Sequence, residues 1–248
     1  MKLHCLGTAG YHPSESRHTS CYFLPESGIV FDAGTGIFRL PDLIQTETLD
    51  VLLSHTHLDH VVGLTYLLGL LYQSPVTKCR VWGEEEKLEV VRKCLFHRDI
   101  FPAELQVQWK GIRAGESFSL AKDARVMSFA MEHPGGSVGY RIDWPTRSMA
   151  YVTDTTADCE AAYVRKVRGV DLLLHECNFR STQEDWAVKT GHSTARRVGQ
   201  VAAAVGAKQT WLIHLNPMET DYDPVGICDA QAYLPNIQAA FDRQVIDF

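Results

Sequence analysis

Several features that would place this chain in a special class of protein are missing from its sequence. It has no stretch rich in proline, glycine and serine, no block of like charges and no repeat at a fixed period, so linkers, low-complexity tails and solenoid arrays are not indicated. The longest mostly apolar stretch, residues 61–72, is too short to span a bilayer. Residues 1–7 lack the apolar core of a signal peptide. The sequence therefore predicts a single domain over residues 1–248 with no membrane partner.

Paired cysteines and an excess of positive charge are also missing. The 7 cysteines are scattered and form no C-x-x-C pair, which argues against a disulfide framework and favours a reducing, cytoplasmic compartment. The formal net charge is −6. A strongly basic chain would have indicated a nucleic-acid backbone as partner. With this net charge, the alternative for binding nucleic acid is a local basic patch.

What the sequence does have is a set of polar side chains placed directly after its predicted strands. Runs at 49–53, 126–132, 149–153, 170–174 and 210–213 are rich in Val, Leu, Ile and aromatic residues, as buried strands are. The groups that follow these runs are the segment 54–60, His133, Asp154, His175 with Glu176, and His214. Because rigid strands aim side chains at loop ends in layered α/β folds, we expect a functional site there.

The segments between the strands predict helices over residues 59–72, 84–96 and 193–205. The second has Leu88, Val91 and Leu95 at helical spacing, and the third opens on a Ser-Thr pair suited to an N-terminal cap. Strand runs in each half with helices between them predict an α/β fold, an αββα sandwich of two mixed β-sheets flanked by helices.

Four metal ligands lie within six residues of the segment His55-Thr56-His57-Leu58-Asp59-His60. Zinc-type divalent ions favour imidazole nitrogen with some carboxylate oxygen. Two such ions need about seven to eight protein donor contacts, and a bridging aspartate lowers the residue count. We expect one ion on His55, His57 and His133 and a second on Asp59, His60 and His214, with Asp154 between them. Such a pair activates water near neutral pH, and Asp59 also orients the nucleophile.

The H-x-H-x-D-H segment, together with His133, Asp154 and His214, resembles the metallo-β-lactamase superfamily over nearly the whole chain. The opening Leu6-Gly7-Thr8-Ala9-Gly10 and the run 133–142 resemble its ribonuclease Z branch. The resemblance implies a cytoplasmic hydrolase with two divalent ions, zinc or else manganese or iron. Members of this branch are commonly homodimers, so the apolar face of residues 61–72 is a candidate interface, with core packing as the alternative.

Glu176 and the segment Gly191-His192-Ser193 resemble an acid–base element of that branch. The resemblance implies that Glu176 holds His192, which contacts a phosphate oxygen or protonates the leaving alkoxide. A carboxylate partner orients an imidazole and raises its pKa, which suits proton donation near neutral pH. A purely structural hydrogen bond is the alternative. Ser137 and the backbone of Gly136 are candidates for a phosphate-contacting turn, with a simple strand start as the alternative.

The chain departs from the ribonuclease Z pattern in one informative way. Only the 20 residues 134–153 separate His133 from Asp154, where ribonuclease Z enzymes usually carry a long arm that clamps transfer RNA. The short connection is similar to that of arm-less cyclic phosphodiesterases. The sequence therefore predicts a phosphodiesterase that uses a metal-bridging hydroxide on a small or cyclic phosphodiester. The alternatives are a transfer RNA 3′-processing endoribonuclease acting on RNA, and a non-hydrolytic metal-binding module on the same fold.

Overall fold

The structure, a computed structural model, describes residues 1–72 and 74–248 and divides into two compact units. Unit 1 consists of Met1–Ala114 together with Phe241–Asp247, and unit 2 contains Gly115–Ala240. The strands are β1 Lys2–Gly7, β2 Cys21–Leu24, β3 Ile29–Phe31, β4 Thr48–Leu52, β5 Lys78–Glu84, β6 Gln108–Ile112, β7 Ser117–Ser119, β8 Arg125–Met131, β9 Ser137–Trp144, β10 Arg147–Val152, β11 Leu172–Glu176, β12 Gln209–Ile213, β13 Gln238–Ala239 and β14 Val245–Asp247.

Most helices are short. The α-helices are α1 Leu58–Val61, α2 Leu67–Tyr72, α3 Glu85–Val90, α4 Ala162–Lys166, α5 Glu184–Thr190, α6 Ala195–Val205 and α7 Cys228–Gln231. Tighter 3₁₀ turns cover Thr35–Arg39, Pro41–Leu43, Val62–Tyr66 and Ser181–Gln183, and a π-helical turn covers Val91–Leu95. Within the described residues, no helix is both long and apolar enough to cross a membrane.

Unit 1 contains a mixed sheet of seven strands in the order β14-β1-β2-β3-β4-β5-β6. The pairs from β14 to β3 are antiparallel and those from β3 to β6 are parallel. Every residue of β2 and β3 is buried, and only the first residue of β4 is not. Strands that are covered on both faces read as continuous apolar runs rather than as alternating ones. This is why the sequence at 49–53 predicted a buried strand.

Unit 2 contains a second mixed sheet of seven strands, ordered β13-β12-β11-β10-β9-β8-β7. The strands from β7 to β10 pair antiparallel, whereas β10, β11, β12 and β13 are parallel. Helix α6 buries its apolar side, including Val198, Val201 and Val205, in the core of this unit. Because β10, β11 and β12 run in one direction, the residues that follow them emerge at the same edge of the sheet.

The predicted helix over residues 59–72 is broken in the structure into α1, the 3₁₀ turn and α2. The N–H of Gly63 donates to the carbonyl of Ala33 (2.8 Å) instead of to its own helix. A Cβ on Gly63 would lie 2.2 Å from the carbonyl oxygen of Gly34. The loop after β3 therefore packs directly on this segment and tightens it. Leu64, Leu67 and Leu70 are buried, while Leu68 and Tyr72 are exposed, so part of this stretch is core.

Candidate metal centre

In unit 1 the segment after β4 brings its three histidine rings together. The centroids of the His55 and His57 rings are 4.4 Å apart, and those of His55 and His60 are 4.3 Å apart. An oxygen of Asp59 lies 3.2 Å from Nε2 of His60. His55 and His60 are buried and His57 is exposed. All four ligands that were predicted in this unit thus lie side by side at the start of α1, in a donor set of imidazole and carboxylate that suits zinc-type ions.

Asp32, which the sequence analysis did not single out, fixes the orientation of this group. Its Oδ2 accepts hydrogen bonds from Nδ1 of His60 and from the hydroxyl of Ser54 (both 2.8 Å), and its Oδ1 accepts from the N–H of Ser54 (2.7 Å). A carboxylate on Nδ1 holds the proton there and leaves the Nε2 lone pair for a metal. Asp32 follows β3 directly, so the strand-end pattern that found the other ligands would also have found it.

In unit 2 the ends of the parallel strands carry Asp154 and His214, and the end of β8 leads to His133. Oδ1 of Asp154 lies 3.4 Å from Nε2 of His214, and Oδ2 of Asp154 lies 3.6 Å from Nε2 of His133. The two oxygens of one buried carboxylate therefore face two different imidazoles. This is the arrangement that a bridging carboxylate requires.

Two of these strand-end residues adopt backbone conformations that residues other than glycine rarely adopt. Asp154 has φ of 51° and His214 has φ of 53°, and Asp32 in unit 1 has φ of 54°. Left-handed conformations cost free energy in residues other than glycine, and they gather at functional sites where the surrounding structure enforces them. Next to His214, the side-chain amide of Asn178 donates to the carbonyl oxygen of His214 (3.1 Å) and supports this turn.

The orientation of His133 depends on Gly191, the residue at the C-terminal cap of α5. Nδ1 of His133 donates to the carbonyl oxygen of Gly191 (2.9 Å), so its Nε2 carries the lone pair that faces Asp154. Gly191 has φ of 74°, and a Cβ there would lie 2.3 Å from the ring of Pro134 and 3.0 Å from Nδ1 of His133. Only glycine fits both the backbone conformation and the space.

Glu176 and His192 are in direct contact. Nδ1 of His192 lies 3.2 Å from Oε1 of Glu176, which also accepts the N–H of Thr155 (3.0 Å). One ring nitrogen of His192 can join an oxygen of Asp154 and a nitrogen of His214 in a group whose atoms all lie within 4.8 Å of one another. His192 is thus placed either to ligate an ion or to move a proton beside one.

Behind Glu176, the fully buried His175 contacts the hydroxyl of Tyr163 through Nε2 (2.9 Å), and its Nδ1 donates to the backbone oxygen of Glu176 (2.8 Å). Burial lowers the pKa of His175, and burial together with the charge of Glu176 raises the pKa of Tyr163. Both groups are therefore neutral at pH 7, and they support the strand end that carries Glu176.

The turn that contains Gly136 and Ser137 is used by the local backbone. The N–H of Gly136 donates to the oxygen of His133 (2.8 Å), and the hydroxyl of Ser137 donates to the oxygen of Thr153 (3.3 Å). A phosphate contact from this turn stays a prediction.

The connection between His133 and Asp154 is a compact hairpin. After the turn at 134–136, β9 and β10 pair antiparallel, and the register joins Trp144 to Arg147. Only Pro145 and Thr146 lie between these two strands. Apart from short turns the connection consists of these two strands, so no arm extends from it.

Comparison with known proteins identifies the family. The Beta-lactamase superfamily domain matches residues 28–215, which include all seven predicted metal ligands. A ribonuclease Z from Synechococcus sp. (strain WH7803) is 31% identical over 311 residues, with 99% of this chain and 94% of the relative covered. A ribonuclease Z from Gemmatimonas aurantiaca is 25% identical, with 98% of this chain and 94% of the relative covered.

Solved structures show the same fold. The metallo-beta-lactamase fold protein YhfI from Bacillus subtilis has a TM-score of 0.83 at 20% identity, with 99% of each chain covered. Human tRNase Z, short form (ELAC1), has a TM-score of 0.80 at 22% identity, covering 100% of this chain and 99% of that one. A diphosphatase from the PhnP family has a TM-score of 0.73 at 21% identity, covering 100% and 96%. The predicted fold class is confirmed: two mixed sheets of seven strands with flanking helices. The chain therefore belongs to the beta-lactamase superfamily, as a ribonuclease Z-like, metal-dependent hydrolase with the metallo-β-lactamase fold.

Proposed function

We propose that this hydrolase is a dinuclear-metal phosphodiesterase that acts on small or cyclic phosphodiesters. The observation that carries the proposal is the carboxylate of Asp154, whose two oxygens face His214 and His133 separately. The proposed ligands of the two ions are His55, His57, Asp59, His60, His133, Asp154 and His214. When bound, a pair of divalent ions lowers the pKa of water towards neutrality and neutralises charge on a phosphate.

The residues of the chain supply orientation and proton transfer. Asp59 orients the attacking water, and its own carboxylate is held by the backbone N–H of Tyr11 (2.7 Å). With Nδ1 of His192 held by Glu176, Nε2 is the atom that can donate a proton to the leaving alkoxide oxygen. The buried Glu176 stabilises the imidazolium form that makes this donation possible.

The hairpin of β9 and β10 supports the proposed small size of the substrate. The alignment with the Synechococcus ribonuclease Z extends over 311 residues, more than the 248 residues of this chain, so that relative has inserted segments that this chain lacks. Together with the two-residue turn at Pro145 and Thr146, this favours substrates that are held mainly at the reacting phosphate.

Transfer RNA 3′ processing is the second candidate, because two relatives named ribonuclease Z align with almost the whole chain. It needs recognition of RNA without a basic arm. Zinc as the resident metal, a single domain, dimerisation and a cytoplasmic location stay predictions.

The test is a substrate panel on protein reconstituted with zinc, manganese or iron, whose metal content is measured by mass spectrometry. The panel contains bis(p-nitrophenyl) phosphate, 2′,3′-cyclic nucleotides and a precursor transfer RNA. We expect two ions per chain, turnover of the small diesters, and loss of turnover in Asp59→Ala. In His192→Ala we expect kcat/KM for the 2′,3′-cyclic nucleotides, whose leaving group is an alkoxide, to fall by roughly 10²- to 10⁴-fold, the usual contribution of a general acid.

The matched control is His97→Ala, since the His97 side chain is 53% exposed and has no part in the proposed site. It should retain full activity. Cleavage of the precursor RNA but of no small diester would replace the proposal with the second candidate. Stoichiometric metal with no turnover of any phosphodiester would favour the non-hydrolytic alternative.

A further inference from the structure

Tyr11 has an unusual backbone conformation next to a proposed ligand. Its φ is 61°, in the left-handed region that bulky residues rarely adopt. In this conformation its N–H donates to Oδ2 of Asp59 (2.7 Å). Strain of this kind persists only where surrounding contacts enforce it, and it concentrates at binding and catalytic sites. The backbone of Tyr11 is thus fixed against the carboxylate that orients water.

The loop that presents Tyr11 is held at both ends within unit 1. Asp242 accepts the N–H and the hydroxyl of Thr8 (3.0 and 2.7 Å) and the N–H of His18 (2.7 Å). Arg17 donates to the hydroxyl of Thr8 (2.6 Å). Since both ends of the loop meet at one carboxylate, the position of Tyr11 is set before any substrate binds.

The ring of Tyr11 is not used to build the core. The residue is 72% exposed, and its ring makes an edge-on contact with the neighbouring His12, at 4.9 Å between centroids. An exposed aromatic ring, carried by a backbone that is hydrogen-bonded to Asp59, offers a face on which a nucleobase can stack.

We propose that Tyr11 determines specificity by stacking on the base of a nucleotide substrate, so that the preferred phosphodiester carries a nucleoside. This inference rests on the proposed phosphodiesterase function and narrows its substrate class. The backbone of Tyr11 positions Asp59, and the ring selects the substrate.

Two diesters with the same leaving group distinguish the effect of the Tyr11 ring from that of the Tyr11 backbone. Thymidine 5′-(p-nitrophenyl phosphate) carries a base, and methyl p-nitrophenyl phosphate does not. Tyr11→Gly removes the ring and retains an N–H and a backbone that accepts positive φ. We expect it to lower kcat/KM for the thymidine diester by roughly 5- to 150-fold, the usual effect of losing one stacked base, mainly through KM. For the methyl diester the loss should be much smaller, so that the ratio of kcat/KM for the thymidine diester to that for the methyl diester falls, and Tyr11→Phe should keep the wild-type ratio.

The matched control is Tyr72→Ala, another exposed tyrosine of unit 1, which should leave both rates unchanged. Equal losses on the two diesters in Tyr11→Gly would show a positioning effect alone and overturn the proposal. Unchanged hydrolysis of the thymidine diester would overturn it as well.

A binding measurement keeps this proposal separate from the proposed function. Calorimetry on the zinc-loaded protein compares AMP with ribose 5-phosphate, which differ by the base. We expect AMP to bind more tightly to the wild type and Tyr11→Gly to remove that difference. Wild-type protein that hydrolyses neither diester and no other phosphodiester of the panel would refute the phosphodiesterase function, and the comparison of AMP with ribose 5-phosphate would still decide the role of the ring. Equal binding of the two ligands to the wild type would refute that role.

Discussion

At the scale of single residues, Asp32 connects the core of unit 1 with its candidate ligands. It is fully buried, and its two oxygens accept three hydrogen bonds, one of them from His60. Partners of this kind set the tautomer and the direction of a metal-binding imidazole, and their loss typically lowers metal affinity by about 10- to 100-fold.

We expect Asp32→Asn to reduce zinc affinity by about that factor, because an amide has only one oxygen for the donors that Asp32 satisfies. Competition with a chromogenic chelator measures the affinity. Asp50→Asn is the matched control: Asp50 is also buried in unit 1, but it pairs with Arg80 and Trp82. It should lower stability without weakening zinc. Equal zinc affinity in wild type and Asp32→Asn would contradict this role.

At the scale of elements, two helices of unit 2 end in the same way but with different surroundings. Gly191 caps α5 and Gly206 caps α6, both at positive φ. A Cβ on Gly206 would meet nothing within 4 Å, whereas one on Gly191 would overlap Pro134 and press on His133. Gly206 serves the helix end alone, and Gly191 also leaves room for a proposed ligand, His133.

Alanine substitutions should separate these two roles. Gly206→Ala should reduce the free energy of unfolding by about 1 kcal/mol, the cost of a left-handed alanine, and leave zinc affinity intact. Gly191→Ala should destabilise more and also weaken zinc binding, since His133 must move. Urea titration and chelator competition measure the two effects. Zinc affinities that match in the two variants would argue against the link between Gly191 and His133.

The elements also show which parts of the fold were visible in the sequence. The apolar run before His214 ends where β12 ends, and the run before Asp154 ends one residue beyond β10, because burial on both faces leaves a clear compositional signal. The helix predicted over residues 84–96 is instead α3 followed by a π-helical turn, in which Phe96 donates to the oxygen of Val91 (3.2 Å). The spacing of apolar residues does not reveal a change in the hydrogen-bond pattern of a single helical turn.

The candidate site could also be predicted in part from the sequence. The positions that bear ligands follow from the rule that strand ends carry function, and that rule also covers Asp32. The positive φ of Asp154 and His214 and the cap at Gly191 depend on backbone geometry that residue types alone do not fix. The same is true of the exposed ring of Tyr11, because the family-like segment that precedes it does not show how its backbone and ring are placed.

At the scale of the whole molecule, the net charge of −6 bears on the choice between small diesters and RNA. Binding to a phosphate backbone releases counterions, so affinity falls steeply with salt in proportion to the number of cationic contacts. A chain with more acidic than basic residues, 30 against 24, has little long-range attraction for RNA.

We expect weak binding of a labelled precursor transfer RNA, with a shallow dependence on salt between about 50 and 200 mM. Fluorescence anisotropy measures it, and a single-stranded oligonucleotide of the same length controls for non-specific binding. A steep slope and a strong preference for the precursor would favour the RNA-processing candidate.

The route of the chain through its two units has a consequence for biosynthesis. Unit 2 lies in the sequence between the two parts of unit 1, whose second part provides Asp242 and the edge strand β14. A nascent chain that leaves the ribosome from its amino end has therefore made Gly115–Ala240, nearly all of unit 2, before it can finish unit 1. Domains usually fold during synthesis in the order in which they emerge. Here the loop that carries Tyr11 has to wait for Asp242, so the first unit to begin translation is the last to be completed.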